Sequence, residues 1–145
     1  MNYVQRLEHW GDTHHPKWID LLRIALGVFL LFKGIEFANN MASIENLVKS
    51  TANFNDLLVV LLVHYILGAH LLGGVLLTFG LLTRFACLIQ IPILLGAIIF
   101  VNATLMKTFS ELFLSILILA MLVYFLIVGS GPWSLDRAME KEDVK

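Results

Sequence analysis

The sequence HLLGGVLLTFGLLTR, residues 70–84, contains the features that decide the fold of this chain. Gly80 can end a helix in the left-handed conformation, and Thr83 is placed to cap the helix that follows. Helices joined by so short a turn must lie side by side and antiparallel. The glycine pair at 73–74 gives the helix that ends at Gly80 a surface that another helix can approach closely. The stretch therefore predicts a tightly packed helix pair with His70 inside it.

Composition indicates a membrane protein. Of the 145 residues, 59% are hydrophobic and 14% are charged, and the mean hydropathy is +0.84. Soluble domains have an apolar share closer to half. Four apolar stretches approach the roughly 20 residues that a helix needs to cross a bilayer. The predicted fold is an all-α integral membrane four-helix bundle.

The predicted organisation has three parts. They are an N-terminal cytoplasmic or interfacial segment at 1–17, a bundle at 18–132 with helices at about 18–38, 57–79, 84–102 and 109–128, and a cytoplasmic tail at 133–145. Between the first two helices we expect a loop with one interfacial turn of helix. Asn55 or Asp56 can cap the second helix, and Pro92 should kink the third helix or open its Leu88 carbonyl to another donor.

The basic residues predict the orientation. Four spans put both termini on one side, and that side then carries seven of the ten basic residues, against three on the other. Cytoplasmic segments of membrane proteins carry an excess of Lys and Arg. Both termini are therefore predicted to be cytoplasmic.

Several classes of function are excluded or disfavoured. A formal net charge of −1 provides no basic surface for nucleic acid. A single cysteine, Cys87, excludes an internal disulfide, a CxxC redox pair and a multi-cysteine zinc site. The sequence contains no nucleotide-binding glycine motif, no GxSxG and no HExxH. We also predict no removable signal peptide.

Polar side chains of the predicted helices form two layers. The outer layer consists of Lys33, Glu36, Asn39, His64, Asn102, Ser110 and Glu111. Lys33 and Glu36 are three residues apart and can pair on one helix face, where ionisable groups often mark a ligand or ion path. The alternative is that Lys33 snorkels to the surface. For Glu111 we favour a capping box with Thr108 over a ligand role.

The inner layer is predicted to be structural. It consists of Asp20, Arg23, Arg84, Asp136 and Arg137. Its carboxylates and guanidiniums are expected to form a small ion network that holds the cytoplasmic ends of the helices together. Charges near helix ends cost little and are common, which argues against a substrate role.

His70 lies between the two layers, and two interpretations of it stay open. One is a hydrogen bond to a neighbouring helix, and the other is contact with a ligand. His64 and His70 are separated by about 9 Å along the helix axis and about 240° around it, so one iron or metal ion could not bind both. We therefore expect no haem or metal site within one chain.

The sequence resembles the DoxX family of small bacterial membrane proteins. The matching pieces are RIALGVFLLFKGIEF at 23–37, HLLGGVLLTFGLLTRFA at 70–86, GAIIFVN at 96–102 and GSGPWSLDR at 129–137. The resemblance implies a four-helix bundle that crosses the bacterial cytoplasmic (inner) membrane several times. Its best-described relatives are membrane subunits of thiosulfate:quinone oxidoreductase. Where the family often has Glu before the double glycine, this chain has His70.

Two functions are carried forward. The first is a quinone-associated membrane subunit of an oxidoreductase complex, with quinone as the candidate cofactor and His70, Tyr65 and Thr78 around it. Lys33, Glu36 and His64 would form an outer polar mouth. Candidate partners are membrane lipid, a redox partner subunit and a second copy of the chain. The second function is a non-enzymatic lipid-binding or membrane-protein assembly factor, so whether the chain is catalytic stays open.

Overall fold

The computed structural model describes residues 17–51, 53–102, 109–131 and 133–142, and this part of the chain is helical without a strand. The helices are α1 Lys17–Asn39, α2 Met41–Thr51, α3 Asp56–Phe79, α4 Thr83–Gly96, α5 Phe109–Val128 and α6 Leu135–Glu142; a π-helical segment, Ala97–Asn102, continues α4. The predicted segment before residue 17 and the predicted cap Thr108 lie outside the described residues.

Two of the described helices are long and apolar enough to cross a membrane. They are α3, with 24 residues and a mean hydropathy of 2.1, and α5, with 20 residues and a mean hydropathy of 2.7. Large apolar side chains such as Leu61, Leu72 and Phe113 are exposed on their outer surfaces. Helix α1 has 23 residues and a similar length, but charged side chains lie near both of its ends. An outer surface of this kind is suited to contact with lipid.

The closest helix contact lies between α1 and α3. A Cβ atom added to Gly74 of α3 would lie 2.8 Å from the Leu31 backbone nitrogen of α1, and one added to Gly27 would lie 2.5 Å from the Thr78 nitrogen. Both distances are shorter than packed carbon atoms tolerate. The two backbones can therefore meet only because both positions are glycine.

The other small-residue face of α3 packs against α4. The Gln90 side chain of α4 donates a hydrogen bond to the Ala69 carbonyl at 2.8 Å and lies directly over Gly73. Gln90 is buried, so this bond satisfies an amide that would otherwise be costly inside the helix packing. The surface around Gly73 thus packs within the chain.

The helix ends agree with the sequence at two of three predicted caps. The Asn55 side chain accepts a hydrogen bond from the Leu58 N–H at 2.8 Å and caps α3, and Gly80 ends α3 with φ of +67°. The prediction that Thr83 caps α4 is wrong. Leu82, with φ of +44°, occupies the cap position, and its N–H bonds to the Asp136 carboxylate at 3.1 Å. A side chain from the distant C-terminal segment thus does what a local cap would do.

Two predictions about the connecting regions change in the structure. Helix α2 has 11 residues, where one interfacial turn was expected. Helix α4 continues through Pro92, and the extra donor near the proline is the Tyr65 hydroxyl, which bonds to the Ile89 carbonyl at 2.7 Å. The expected acceptor was the Leu88 carbonyl. The Tyr65 hydroxyl therefore bonds to the carbonyl one residue after the expected acceptor, within the helical turn in which Pro92 removes a backbone donor.

The inner polar residues hold one end of the structure together, and Arg23 and Asp20 lie at its centre. Both side chains have 0% exposure, and Arg23 Nε is 3.6 Å from Asp20 Oδ1. Arg23 Nη1 donates to the Leu77 carbonyl at 2.8 Å, and Nη2 donates to the Trp133 carbonyl at 3.0 Å. Asp20 Oδ2 accepts from the Trp133 N–H at 2.9 Å. Helix α1, the end of α3 and the C-terminal segment are joined at this point.

The remaining inner residues bond to backbone as well. Arg84 donates to the Ile127 carbonyl in the last turn of α5 at 3.3 Å. Asp136 accepts from Leu82, as above. Arg23 and Arg84 therefore each place a positive charge at the C-terminal end of a helix, where the free carbonyls and the helix dipole favour it. The Arg137 side chain lies outside the described part of the chain.

We predict that Gly131→Ala destabilises the protein, because the added Cβ would collide with the Asp20 carboxylate. Overpacking of this kind costs about 1–3 kcal/mol. Thermal unfolding of the protein in mild detergent should show a lower midpoint. Gly68→Ala is the control, since its Cβ meets nothing within 4 Å. Equal midpoints for the two variants would contradict the tight contact at Gly131.

Candidate ligand cavity

A cavity of about 610 Å³ lies between the helices. Its walls come from α1, α2, α3, α5 and the region around Pro92 in α4. Most of the lining is apolar, with Phe29, Leu62, Ile66, Leu94, Leu114 and Ile118 among the wall residues. A volume of this size falls within the range of small-molecule sites, which combine apolar walls with a few polar groups.

The charged residues of the lining are Lys33, Glu36 and Glu111, and the first two form an ion pair. Lys33 Nζ donates to Glu36 Oε2 at 2.7 Å, and the two side chains are 39% and 56% exposed. The predicted pairing on one face of the first helix is therefore present. Because both groups are partly exposed, they mark the mouth of the cavity rather than its depth.

His70 is the most buried polar residue of the lining, with 6% exposure. Its Nδ1 lies 2.8 Å from the Ile66 carbonyl, one turn earlier in α3. The Phe37 ring of α1 packs edge-on against the imidazole with the ring centres 4.9 Å apart. Hydrogen bonding within α3 and packing on α1 fix the ring in place and leave Nε2 as its second polar atom.

Tyr65 also lines the cavity, but its hydroxyl proton is engaged in the bond to Ile89. Its oxygen retains a lone pair and can still accept a hydrogen bond. Tyr65 thus contributes ring surface and an acceptor to the cavity, while its donor joins α3 to α4.

The structure does not bring Thr78 and His64 together with the other candidates. The Thr78 hydroxyl donates to the Gly74 carbonyl at 2.7 Å, at the contact with α1. His64 is exposed, and its Nδ1 lies 2.8 Å from the Val60 carbonyl. Neither residue belongs to the cavity lining. Of the six candidates, Lys33, Glu36, Tyr65 and His70 therefore share one site.

The sequence did not predict the partner of Gln90 or the position of the apolar residues of α2 beside a cavity. Gln90 fixes α4 against α3, and its signal was available, since an amide inside an apolar helix usually has a specific partner. Ile44, Leu47 and Val48 of α2 form one apolar face and line the cavity. Their spacing fits a helical stripe, but nothing local shows that a cavity lies beneath it.

Lys49, near the end of α2, forms an ion pair with the start of α3. The ammonium lies 3.0 Å from a Glu45 carboxylate oxygen and 3.1 Å from an Asp56 oxygen at the start of α3. Hydrogen bonds to Glu45 and then Asp56 raise the pKa of Lys49 above its ordinary value of 10.5. The lysine is therefore charged at neutral pH, and this contact is lost only as the pH rises through the raised pKa.

We predict that Lys49→Ala loosens α2 at neutral pH. Amide hydrogen exchange of residues 41–51 should become faster, because the link between α2 and Asp56 is removed. Asn46→Ala, at an exposed position of the same helix, is the control and should leave the exchange unchanged. Equal protection in the two variants would show that the apolar face alone holds α2 in position.

The fold and the cavity together define a class: a helical membrane protein with a largely apolar cavity between its helices. Residues 18–103 match the model of the DoxX family, and the chain belongs to that family. No curated protein and no solved structure shows a significant match to the chain.

Proposed function

We propose that this DoxX-family protein is a quinone-associated membrane subunit of an oxidoreductase complex. The observation that carries the proposal is the cavity itself, which has apolar walls, a charged mouth at Lys33 and Glu36, and one deeply buried imidazole at His70. A quinone and its hydroquinone are amphiphiles that need this combination: an apolar slot for ring and tail and a few polar groups near the oxygen atoms.

The chemistry of a quinone explains why a second component belongs to the proposal. Reduction of a quinone to a hydroquinone takes up two electrons and two protons, one proton on each oxygen. We assign the supply of electrons to a partner redox subunit or a soluble reductant. Lys33 and Glu36 lie in the last turns of α1, close to the proposed outer interface, where they can exchange protons with water.

The proposal includes a topology. Helices α1, α3 and α5 and the continuous stretch formed by α4 and its π-helical segment each have 20 or more residues, which span about 30 Å. We propose that these four cross the bacterial cytoplasmic membrane as a bundle with both termini in the cytoplasm. The asymmetry of basic residues supports this orientation. The cavity mouth and α2 then face the outer side.

Cysteine labelling tests the topology. In a Cys87→Ser background, which contains no other cysteine, Ser50→Cys in α2 and Met139→Cys in α6 are exposed positions. A membrane-impermeant maleimide applied to intact spheroplasts should label the first variant and should label the second only after permeabilisation. The reverse pattern would overturn the orientation, and labelling of both in intact spheroplasts would overturn the common location of both termini.

Cavity filling tests the ligand. We predict that Leu114→Trp, which adds bulk to the cavity wall, weakens the binding of decylubiquinone about tenfold, or about 1.4 kcal/mol. Leu117→Trp makes the same change on the same helix at an exposed position outside the lining, and it should bind as the unchanged protein does. Equilibrium dialysis in mild detergent measures both affinities.

Three results would count against the quinone proposal. Unweakened binding in Leu114→Trp would show that the quinone binds elsewhere or partitions into detergent, and equal weakening in both variants would show a general effect on α5 rather than filling of the cavity. Binding of phospholipid to the cavity, with no measurable decylubiquinone affinity, would favour the second function, a lipid-binding or assembly role.

A further inference from the structure

We propose that the cavity binds the hydroquinone form of its ligand in preference to the quinone form, with His70 Nε2 accepting a hydrogen bond from a ligand hydroxyl. The inference rests on the proposed function and adds the redox form that the site recognises.

The hydrogen bond to Ile66 decides which ring nitrogen of the imidazole carries the hydrogen. A backbone carbonyl can only accept, so the contact of 2.8 Å places the hydrogen on Nδ1. In the uncharged ring, Nε2 then carries a lone pair and no hydrogen. Burial at 6% exposure among apolar side chains favours the uncharged ring.

This geometry treats the two redox forms differently. A hydroquinone presents O–H donors, and Nε2 can accept one of them. A quinone presents carbonyl oxygens, which carry lone pairs of their own and would face the Nε2 lone pair without a proton between them. An unmatched pair of acceptors in a buried site is unfavourable, because neither is satisfied.

The two hydroxyl groups of the described lining, those of Tyr65 and Ser115, donate to protein carbonyls. The Tyr65 hydroxyl donates to Ile89 at 2.7 Å, and the Ser115 hydroxyl donates to the Glu111 carbonyl at 2.9 Å. Lys33 directs one N–H to Glu36 and has further N–H groups, but it lies at the exposed mouth. The inner part of the cavity therefore offers acceptors to a ligand.

Preference for the reduced form has an electrochemical consequence. Tighter binding of the hydroquinone raises the reduction potential of the bound couple, by about 30 mV for each tenfold difference in affinity of a two-electron couple. A bound quinone would therefore take electrons from a partner more readily than the same quinone free in the membrane.

The test compares three probes that share one ring and tail: decylubiquinol under anaerobic conditions, decylubiquinone, and the dimethyl ether of decylubiquinol, in which methyl groups replace the O–H hydrogens. One hydrogen bond to a buried acceptor corresponds to an affinity difference of about tenfold. We expect decylubiquinol to bind about tenfold more tightly than the other two. Quinone binding as tight as or tighter than hydroquinone binding would overturn the inference.

A variant assigns the preference to His70. His70→Phe retains an aromatic ring against Phe37 but removes the acceptor, and it should bind the reduced and oxidised forms equally. His64→Phe, on the same helix outside the lining, should keep the preference. A preference that persists in His70→Phe would overturn the role of Nε2.

The outcomes separate the two proposals. If none of the probes binds the unchanged protein, the quinone function fails and this inference fails with it. If both redox forms bind with equal affinity and Leu114→Trp weakens both, the quinone function stands and only the redox preference is overturned. The comparison with the ether needs no variant, so it holds even if His70→Phe does not fold.

Discussion

The buried pair of Asp20 and Arg23 is the constraint on which the rest of the structure depends. Buried charges are tolerated only when partners surround them, and removing one partner of such a pair costs about 3–5 kcal/mol. Here the partners are backbone groups of Leu77 and Trp133, so the pair joins α1 to the end of α3 and to the C-terminal segment. The fit leaves no room for a Cβ at Gly131.

This junction fixes one end of the helices, and the cavity lies toward the other. Arg23 and Lys33 are ten residues apart in α1, which corresponds to about 15 Å along the axis. Between them, Gly27 of α1 meets Gly74 of α3, so the two helices are held together before they reach the cavity. A polar junction and a close glycine contact thus support a site that the separate helix α2 also lines.

The sequence predicted those features that depend on local chemistry. Periodicity and glycine placement indicated the α3–α4 pair, the spacing of Lys33 and Glu36 indicated their contact, and Asn55 caps α3 as expected. Features that depend on partners distant in the chain could not be predicted from the sequence. Thr83 does not cap α4; Leu82 occupies the cap position, and its N–H bonds to the Asp136 carboxylate from the end of the chain. No spacing rule could show that the Tyr65 hydroxyl is engaged by α4, or that α2 lines a cavity.

The central claim is that the cavity holds an isoprenoid quinone in the membrane. Mass spectrometry of an organic extract tests it most directly, with the protein expressed in bacteria and purified in mild detergent. We expect a quinone to be retained in stoichiometric amount with the protein. An extract that contains phospholipid and no quinone above the level of an unrelated membrane protein purified in parallel would contradict it.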